Sequence, residues 1–285
     1  MHIGIALPTA VPGTSGHLLL EWVRKADSGP FSSLTVLDHT NSGSYEPFTV
    51  LAAAAALTQR VRLAIILPGG SLRTTLLLAK VTTSIDALSQ GRLIVGLALG
   101  GHPQGYAALG IDPPSHGKLL TGQLSALRAL WNERPLGPKL AHSGGPPLLL
   151  GGPGEQVAAR IALAADGLVA GQDAQHFARA ARQVRAAWAG TGRPGRPQLW
   201  AVGHFALGDD AAEGGRRYLR ESFAFAGPSF AQEMVAQLLA SPDAIMRCLH
   251  AFEEAGCDEF VFSPTVADLA QLDRLITVLQ GRRQT

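Results

Sequence analysis

Charged residues and cysteines are both scarce in this sequence. Lys, Arg, Asp and Glu make up 16% of the 285 residues, against about 25% in an average soluble domain. Their signs nearly cancel, with a formal net charge of +2, so charge gives no basis for a nucleic-acid partner or an acidic membrane surface. The two cysteines, Cys248 and Cys257, are too few to suggest a disulfide framework.

Long apolar segments are also missing. The longest apolar run, residues 47–57, is alanine-rich and shorter than the roughly 20 residues that a membrane-spanning helix needs. The first residue leads directly into a predicted strand, without the features of a secretion signal. We therefore expect a soluble, cytoplasmic protein with no membrane partner. The length alone suggests about two domains, but α/β barrels of this size routinely form one, and we expect one domain over residues 1–285.

Several common catalytic motifs are absent. The sequence has no P-loop, no HExxH, no GxSxG and no cluster of His, Cys and Asp at metal-ligand spacing, so we expect no bound metal. Residues 190–195 match GxGxxG, but the match follows a predicted helix and precedes a predicted strand. A dinucleotide site requires the reverse order, so this segment is interpreted as a polar loop.

What the sequence does contain is a regular alternation of strand and helix patterns. The strand patterns are short, continuous apolar runs, which are typical of strands buried on both faces of a parallel sheet. They occur at residues 3–7, 34–37, 61–67, 92–99, 147–150, 167–170, 199–207 and 259–263. Eight such units, separated by helical patterns, predict a single (β/α)₈ TIM barrel of the α/β class, with a doubly wound open sheet as the alternative.

Glycines follow two of the predicted strands. Gly100 and Gly101 come directly after the fourth, and Gly151 and Gly152 come after the fifth. Small residues at these places let a flat ligand approach the backbone. Residues 151–156, GGPGEQ, also open a helix, whose free N–H groups can bind a phosphate. The alternative is a plain glycine turn before a helix.

His39 is the candidate acid–base residue. It follows the second predicted strand, and the C-terminal ends of the strands carry the chemistry of a barrel. An imidazole beside an apolar cavity can titrate near neutral pH; the alternative is a histidine that is hydrogen-bonded within a loop. Further candidates for a substrate pocket, with ordinary loop positions as the alternative, are Thr9, Asp38, Tyr45, His102 and Tyr106.

The opposite end of the barrel is expected to serve stability. Asp86 and Arg92 flank the turn before the fourth strand, and we interpret them as a structural Asp–Arg pair. Asp166 precedes the sixth strand and is interpreted in the same way.

Six segments resemble the bacterial luciferase-like family of flavin-dependent oxidoreductases. They are LDH at 37–39, EPFTVLAAAAALTQRVRL at 46–63, LAKVTTSIDALSQGRLIVGLALGG at 78–101, LSALRALW at 124–131, PPLLLGG at 146–152 and AADGLVAG at 164–171. Their order and spacing match the family over nearly the whole chain. The resemblance implies a (β/α)₈ barrel that binds FMN, or alternatively the deazaflavin coenzyme F420, over the C-terminal ends of the strands.

The resemblance also implies roles for particular residues. His39 matches the family's active-site histidine. The third-strand segment of Ala64, Ile65 and Ile66 matches the place where the family often has a strained non-proline cis peptide beneath the cofactor ring. The other matches are to cofactor-binding positions: Gly100, Gly101, Gly151, Gly152, Gly154, Glu155 and Gln156.

Departures from the family pattern bear on the activity. Light-emitting members carry a cysteine and a phosphate-binding arginine where this sequence has Ala98 and Leu99, so light emission is not expected. The resemblance implies monooxygenation of a small apolar organic substrate by O₂, with flavin reduced by a separate flavin reductase. The alternatives are an F420-dependent dehydrogenase or reductase, and a barrel that binds flavin or an apolar ligand without turnover.

A homodimer is expected as well. The low charge content and the alanine-rich second and third helical patterns, residues 47–57 and 74–88, provide more apolar surface than one barrel needs to bury. The resemblance points to the same two neighbouring helices as the contact.

Overall fold

Eight parallel strands pair side by side until the last meets the first, in a computed structural model of the chain. The order around the closed barrel is the order in the sequence. In the closing pair, Ile3 lies opposite Phe260 and Ile5 lies opposite Phe262. The predicted (β/α)₈ barrel is therefore confirmed, and the open sheet is excluded. The strands are β1 (His2–Ala6), β2 (Ser33–Leu37), β3 (Arg62–Pro68), β4 (Leu93–Ala98), β5 (Leu148–Gly151), β6 (Gly167–Ala170), β7 (Gln198–Phe205) and β8 (Glu259–Pro264).

The structure describes most of the chain. The described residues are 1–38, 43–68, 72–98, 100, 106–107, 110, 112, 115–132, 136–152, 155–171 and 173–282. Within these ranges, no helix combines the length and the apolar composition that crossing a membrane requires.

Helices connect the strands and form the outer layer. They are α1 (Gly16–Ser28), α2 (Pro47–Leu57), α3 (Thr75–Leu88), α4 (His116–Asn132), α5 (Glu155–Ala164), α6 (Ala174–Ala189), α7 (Ala211–Ser222), α8 (Pro228–Ala236), α9 (Pro242–Glu254) and α10 (Ala270–Arg282). The start of α9 is typical of a capped helix, because the Ser241 hydroxyl accepts a hydrogen bond from Ala244 N at 3.2 Å. Between β7 and α9 the chain adds α7, a short 3₁₀ turn (Ala224–Ala226) and α8, which we call the β7–α9 insertion.

The strands separate two hydrophobic layers. Side chains that point outward, such as Leu63 and Leu199, pack against the helices in the larger layer. Side chains that point inward fill the barrel in a second layer, because successive residues of a strand face opposite sides. The buried members of the inner layer are Ala6, Ala64, Ile66, Ile94, Leu149, Val169, Trp200 and Val261.

A buried carboxylate fills the bottom of the barrel, at the N-terminal ends of the strands. Glu259 at the start of β8 is 1% exposed. Its Oε1 accepts hydrogen bonds from the hydroxyls of Ser32, at 2.7 Å, and Ser33, and its Oε2 pairs with Arg62. These contacts tie β8 to β2 and β3. Their loss would leave a buried charge without partners, which is strongly unfavourable.

The expected Asp86–Arg92 pair is wrong, although both residues are structural. The Arg92 guanidinium donates to the carbonyls of Val61 and Thr58, each at 2.7 Å, in the segment between α2 and β3. Asp86 Oδ2 instead accepts from Ala141 N at 3.2 Å. Arg92 binds these backbone carbonyls because they offer several acceptors in one place, which suits the five donors of a guanidinium.

The contacts of Asp166 confirm that this residue is structural. Its carboxylate pairs with Arg128, at 2.5 Å, and with Arg193, at 3.2 Å. It also accepts from Leu148 N at 2.8 Å, at the first residue of β5. One carboxylate therefore fastens α4, β5 and the loop before β7 at the bottom of the barrel.

Asp86 generates a prediction about how stability depends on pH. The residue is fully buried, and its Oδ1 has no hydrogen-bond partner among the described residues. Burial raises the pKa of Asp86 above its ordinary value of 3.8, although Ala141 N and His142 act to lower it. The folded state thus holds the proton more tightly than the unfolded chain does. This stabilisation is complete below the unfolded pKa and is lost as pH rises through the folded pKa.

We expect Asp86→Asn to remove this dependence. In urea unfolding between about pH 4 and about pH 7, the free energy of unfolding of the variant should rise relative to that of the native protein as pH increases. Asp27→Asn is a control of opposite sign, whose change falls at and below about pH 4, so its series extends to lower pH. Burial acts to raise the pKa of Asp27, but hydrogen bonds from the N–H groups of Val61, Gln59 and Arg60 and the charge of Arg60 lower it overall. A difference for Asp86→Asn that stays constant with pH would contradict the assignment.

Candidate active site at the mouth of the barrel

The mouth of the barrel, at the C-terminal ends of the strands, has its smallest side chains on β4, β5 and β6. Leu149 and Val169 belong to the inner layer, so Gly151 and Gly171, two residues later, also face inward. Ala98 lies beside Gly151 in the sheet. A Cβ on Gly151 would lie 2.9 Å from the carbonyl oxygen of Val169 and 3.0 Å from the Cβ of Ala98. Contacts between neighbouring strands therefore require glycine at position 151, and the inward positions at the ends of β4 and β5 carry the small residues Ala98 and Gly151.

Two of the predicted cofactor glycines have backbone conformations that other residues rarely adopt. Gly152, directly after β5, has φ +136°, and Gly100, close to the end of β4, has φ +143°. Each would be strained by a side chain even where there is room for it. Local backbone geometry thus requires glycine at both positions.

Arg160 places a cation against the first turn of α5 and against α4, and sequence reasoning missed it. Glu155 and Gln156, both exposed, form the first turn of α5, and Arg160 lies one turn later. Its Nε donates to Thr121 Oγ1 at 3.0 Å and its Nη2 to Gln156 Oε1 at 3.3 Å. Its Nη1 is buried and has no partner in the described part of the chain. A guanidinium with an unused donor, beside the N-terminus of a helix, favours an anion.

Asp38 at the end of β2 is held by an ion pair. The Asp38 side chain is buried, and its Oδ2 lies 2.5 Å from Nη1 of Arg73. Arg73 also lies 3.8 Å from Glu46 and 5.7 Å from the ring centre of Phe48. Its own carbonyl accepts from Gln123 Nε2 at 2.9 Å. The end of β2 is therefore fixed to the start of α3 and to α4, and the charge of Asp38 is balanced.

Thr9 and Tyr45, both predicted pocket residues, meet at the ends of β1 and β2. Thr9 is buried, and its carbonyl accepts from Tyr45 N at 3.2 Å. The Tyr45 hydroxyl donates to Thr14 O at 3.4 Å, and the ring is partly exposed. The loop after β1 and the segment before α2 thus form one rim of the mouth.

Tyr106 connects Gly100 to α4. Its hydroxyl donates to Gly100 O at 2.8 Å. Its ring stacks on that of His116, the first residue of α4, with ring centres 3.5 Å apart. The ring is buried, so Tyr106 packs within the rim of the mouth and holds it in place.

The predicted third-strand segment has two orientations. Ala64 and Ile66 face the interior of the barrel, whereas Ile65 packs against the helix layer. Every peptide bond in this segment is trans. The expectation of a cis peptide bond here is therefore wrong, and the segment is a regular strand that pairs with β4.

Four of the predicted site residues lie outside the described residues: His39, Gly101, His102 and Gly154. Their roles stay predictions. Across the ranges that are described, no three His, Cys, Asp or Glu side chains come close enough together to hold a metal ion.

His204, near the end of β7, is a second residue that sequence reasoning missed. Trp200 and Val202 contribute to the inner layer, so His204 also faces inward. Its ring meets the edge of Phe223, from the β7–α9 insertion, at a centre distance of 5.8 Å. The signal was present in the sequence, because His204 follows two inward apolar residues at the strand period of two.

Comparisons with known proteins agree with this architecture. The sequence profile of a family described as luciferase-like monooxygenase matches residues 1–261. Uncharacterized proteins of Mycobacterium tuberculosis and Mycobacterium bovis are 27% identical to this chain over 241 residues, which are 71% of this chain and 83% of theirs.

Solved structures share the fold. The monooxygenase RslO1 from Streptomyces bottropensis has a TM-score of 0.78 and 21% identity, covering 98% of this chain and 97% of its own. An F420-dependent secondary alcohol dehydrogenase in complex with an F420–acetone adduct has a TM-score of 0.77 and 17% identity, covering 97% of each chain. The coenzyme F420 dependent tetrahydromethanopterin reductase from Methanopyrus kandleri has a TM-score of 0.71 and 16% identity, covering 98% of this chain and 96% of its own. At these identities the likeness establishes the fold.

Proposed function

Because this chain belongs to the luciferase-like monooxygenase family, we propose that it is a flavin-dependent monooxygenase acting on a small apolar organic substrate. The cofactor would be FMN, reduced by a separate flavin reductase, and O₂ would be the oxidant. The observation that carries the proposal is the mouth of the barrel, where the side formed by small residues adjoins a helix N-terminus and the guanidinium of Arg160.

The mouth fits the two ends of a flavin. The ring system, which supplies the redox chemistry when it is bound, would lie over the small residues Ala98 and Gly151 at the ends of β4 and β5. The phosphate would lie at the N-terminus of α5, where Gly152 allows close approach and Nη1 of Arg160, which has no partner among the described residues, offers a donor. Arg160 would supply the charge that Leu99, in place of the family's arginine, does not.

His39 is proposed to move the proton. It follows Asp38 in the sequence, and the carboxylate of Asp38 is already paired with Arg73 at 2.5 Å. The imidazole of His39 would therefore not form an ion pair with the carboxylate of Asp38. The apolar residues of the inner layer would exclude water from the reaction.

A second candidate is an F420-dependent dehydrogenase or reductase that does not use O₂. The observation that favours it is Leu99, which replaces the arginine that holds the FMN phosphate in the light-emitting relatives. Two of the solved structures with this fold act with F420 according to their descriptions.

Gly152→Val tests the cofactor site. The φ of +136° at Gly152 is unfavourable for a side chain, and the side chain would also block the approach to α5. We expect loss of cofactor binding with the fold retained, measured by fluorescence titration with FMN and, in parallel, with F420.

Gly192→Val is the matched control. Gly192 also has a positive φ, of +69°, but lies in the loop before β7 with open space around it. It should leave cofactor affinity unchanged. Equal affinities of native protein and Gly152→Val would disprove the site, and preference for F420 over FMN would support the second candidate.

His39→Ala tests the catalytic assignment. We expect turnover to fall by about 10²–10⁴-fold, which is the usual contribution of a general acid–base residue. Cofactor affinity should change little, since the proposed phosphate site lies at α5. The measurement is turnover of an apolar substrate or, without one, the rate at which O₂ reoxidises the reduced cofactor. His250→Ala, an exposed position on α9, is the control, and unchanged rates in His39→Ala would make the residue structural.

A homodimer through α2 and α3 is also proposed. Leu77 and Leu88 on α3 are 66% and 62% exposed. They are about three turns apart and therefore lie on the same face. Exposed large apolar side chains grouped on one helix face are typical of a protein interface.

Sedimentation at micromolar concentration tests the dimer. The native protein should be dimeric, and Leu77→Glu should be monomeric, because it places a charge in the contact. Leu163→Glu, at an equally exposed leucine on α5, should stay dimeric. A native monomer, or a dimer that survives Leu77→Glu, would refute this interface.

A further inference from the structure

We propose that the β7–β8 side of the mouth binds the substrate, and that the substrate is an aromatic compound carrying a hydroxyl or carbonyl oxygen. The proposal rests on the proposed function for the location of the reaction at this mouth. It is carried by a group of residues that we call the aromatic wall: His204, Phe223, Phe225, Phe230 and Ser263.

Two strands direct polar side chains of the aromatic wall into the mouth. His204 shares the inner face of β7 with Trp200 and Val202. Gly203 faces the other way, since a Cβ there would lie 2.5 Å from the ring of Phe260 in the outer layer. Ser263 lies beside His204 in the sheet register and follows the inner Val261 by two residues. An imidazole and a hydroxyl therefore sit side by side, and both can donate and accept hydrogen bonds.

The phenylalanines of the wall come from the β7–α9 insertion. Phe223 meets His204 edge-on at 5.8 Å, Phe230 edge-on at 5.8 Å, and Phe225 at 6.5 Å between ring centres. The insertion is tied to β7 by the hydrogen bond from Leu239 N to His204 O, 2.9 Å long. The ring of Phe223 therefore lies directly beside the imidazole, with Phe230 and Phe225 packed behind it.

This arrangement suits an aromatic ligand better than a flexible aliphatic chain. Phe225 is 42% exposed, and the phenylalanines lie at steep and shallow angles to one another. Such clusters accept a further ring edge-on or offset, which are the favoured geometries of aromatic pairs. A substrate oxygen at the strand ends would then reach the imidazole of His204 or the hydroxyl of Ser263.

The opposite side of the mouth also favours a cofactor on the β4–β6 side and a substrate on the β7–β8 side. β4, which ends in the small residue Ala98, lies four strands from β8 around the closed barrel and so faces it across the interior. A flat cofactor on the β4–β6 side would leave the aromatic wall to face it. The substrate would lie between the cofactor and His204.

Ligand binding with three probes tests the proposal: 1-naphthol, naphthalene and 1-octanol, measured by titration calorimetry on the full chain. We expect 1-naphthol to bind more tightly than the other two. Phe223→Leu keeps apolar volume without the ring, and should weaken 1-naphthol by about tenfold or more. His204→Leu should weaken 1-naphthol by a similar factor and leave naphthalene unchanged, because only the oxygen needs the imidazole.

His250→Leu, on the exposed face of α9, is the matched control and should leave all three affinities unchanged. Urea unfolding of each variant establishes that it folds. The proposal is overturned if 1-octanol binds as tightly as 1-naphthol, or if both wall variants bind 1-naphthol like the native protein. Titration with FMN separates the two hypotheses: 1-naphthol binding without flavin binding refutes the proposed function alone, and the reverse refutes the aromatic wall alone.

Discussion

Closure of the parallel sheet is the constraint on which the rest of the structure depends. Once β8 pairs with β1, every strand has a neighbour on both sides, and each side chain faces either the helices or the interior. An eight-stranded barrel has room for few inward side chains. The size of the mouth is therefore set by one or two inward residues per strand. Ala98 and Gly151 on one side, with His204 on another, are enough to make it asymmetric.

Closure also requires that the bottom of the barrel be filled, and here polar groups do it. Glu259 is buried, but Arg62, Ser32 and Ser33 satisfy its carboxylate. Charges that are paired in this way are costly to separate and are not available for chemistry. The mouth differs, because Arg160 retains an unused buried donor among the described residues.

The strands could be predicted from the sequence because a strand buried on both faces needs a largely apolar run, and each run here ends at a polar residue, glycine or proline. Contacts between side chains could not. Asp86 and Arg92 are close in sequence, yet each bonds elsewhere, because backbone groups were nearer in the fold. Arg160 was missed since its approach to Thr121 depends on how α4 and α5 pack. Of the two missed residues, only His204 could have been found from the sequence, because it lies four positions after Trp200 in the same strand and so faces the same side.

The location of the cation also bears on how firmly an anion could be held. An arginine on a loop must lose side-chain freedom when it binds a phosphate, and this opposes binding. Arg160 is fixed beforehand, because Thr121 and Gln156 hold its Nε and Nη2. Among the described residues Nη1 has no partner, so its two N–H groups are available to an anion beside the backbone N–H groups of α5. In the proposed complex the helix N-terminus and Arg160 would therefore share the hydrogen bonds, Arg160 would contribute the formal charge, and a substitution at either would weaken the site without abolishing the other's share.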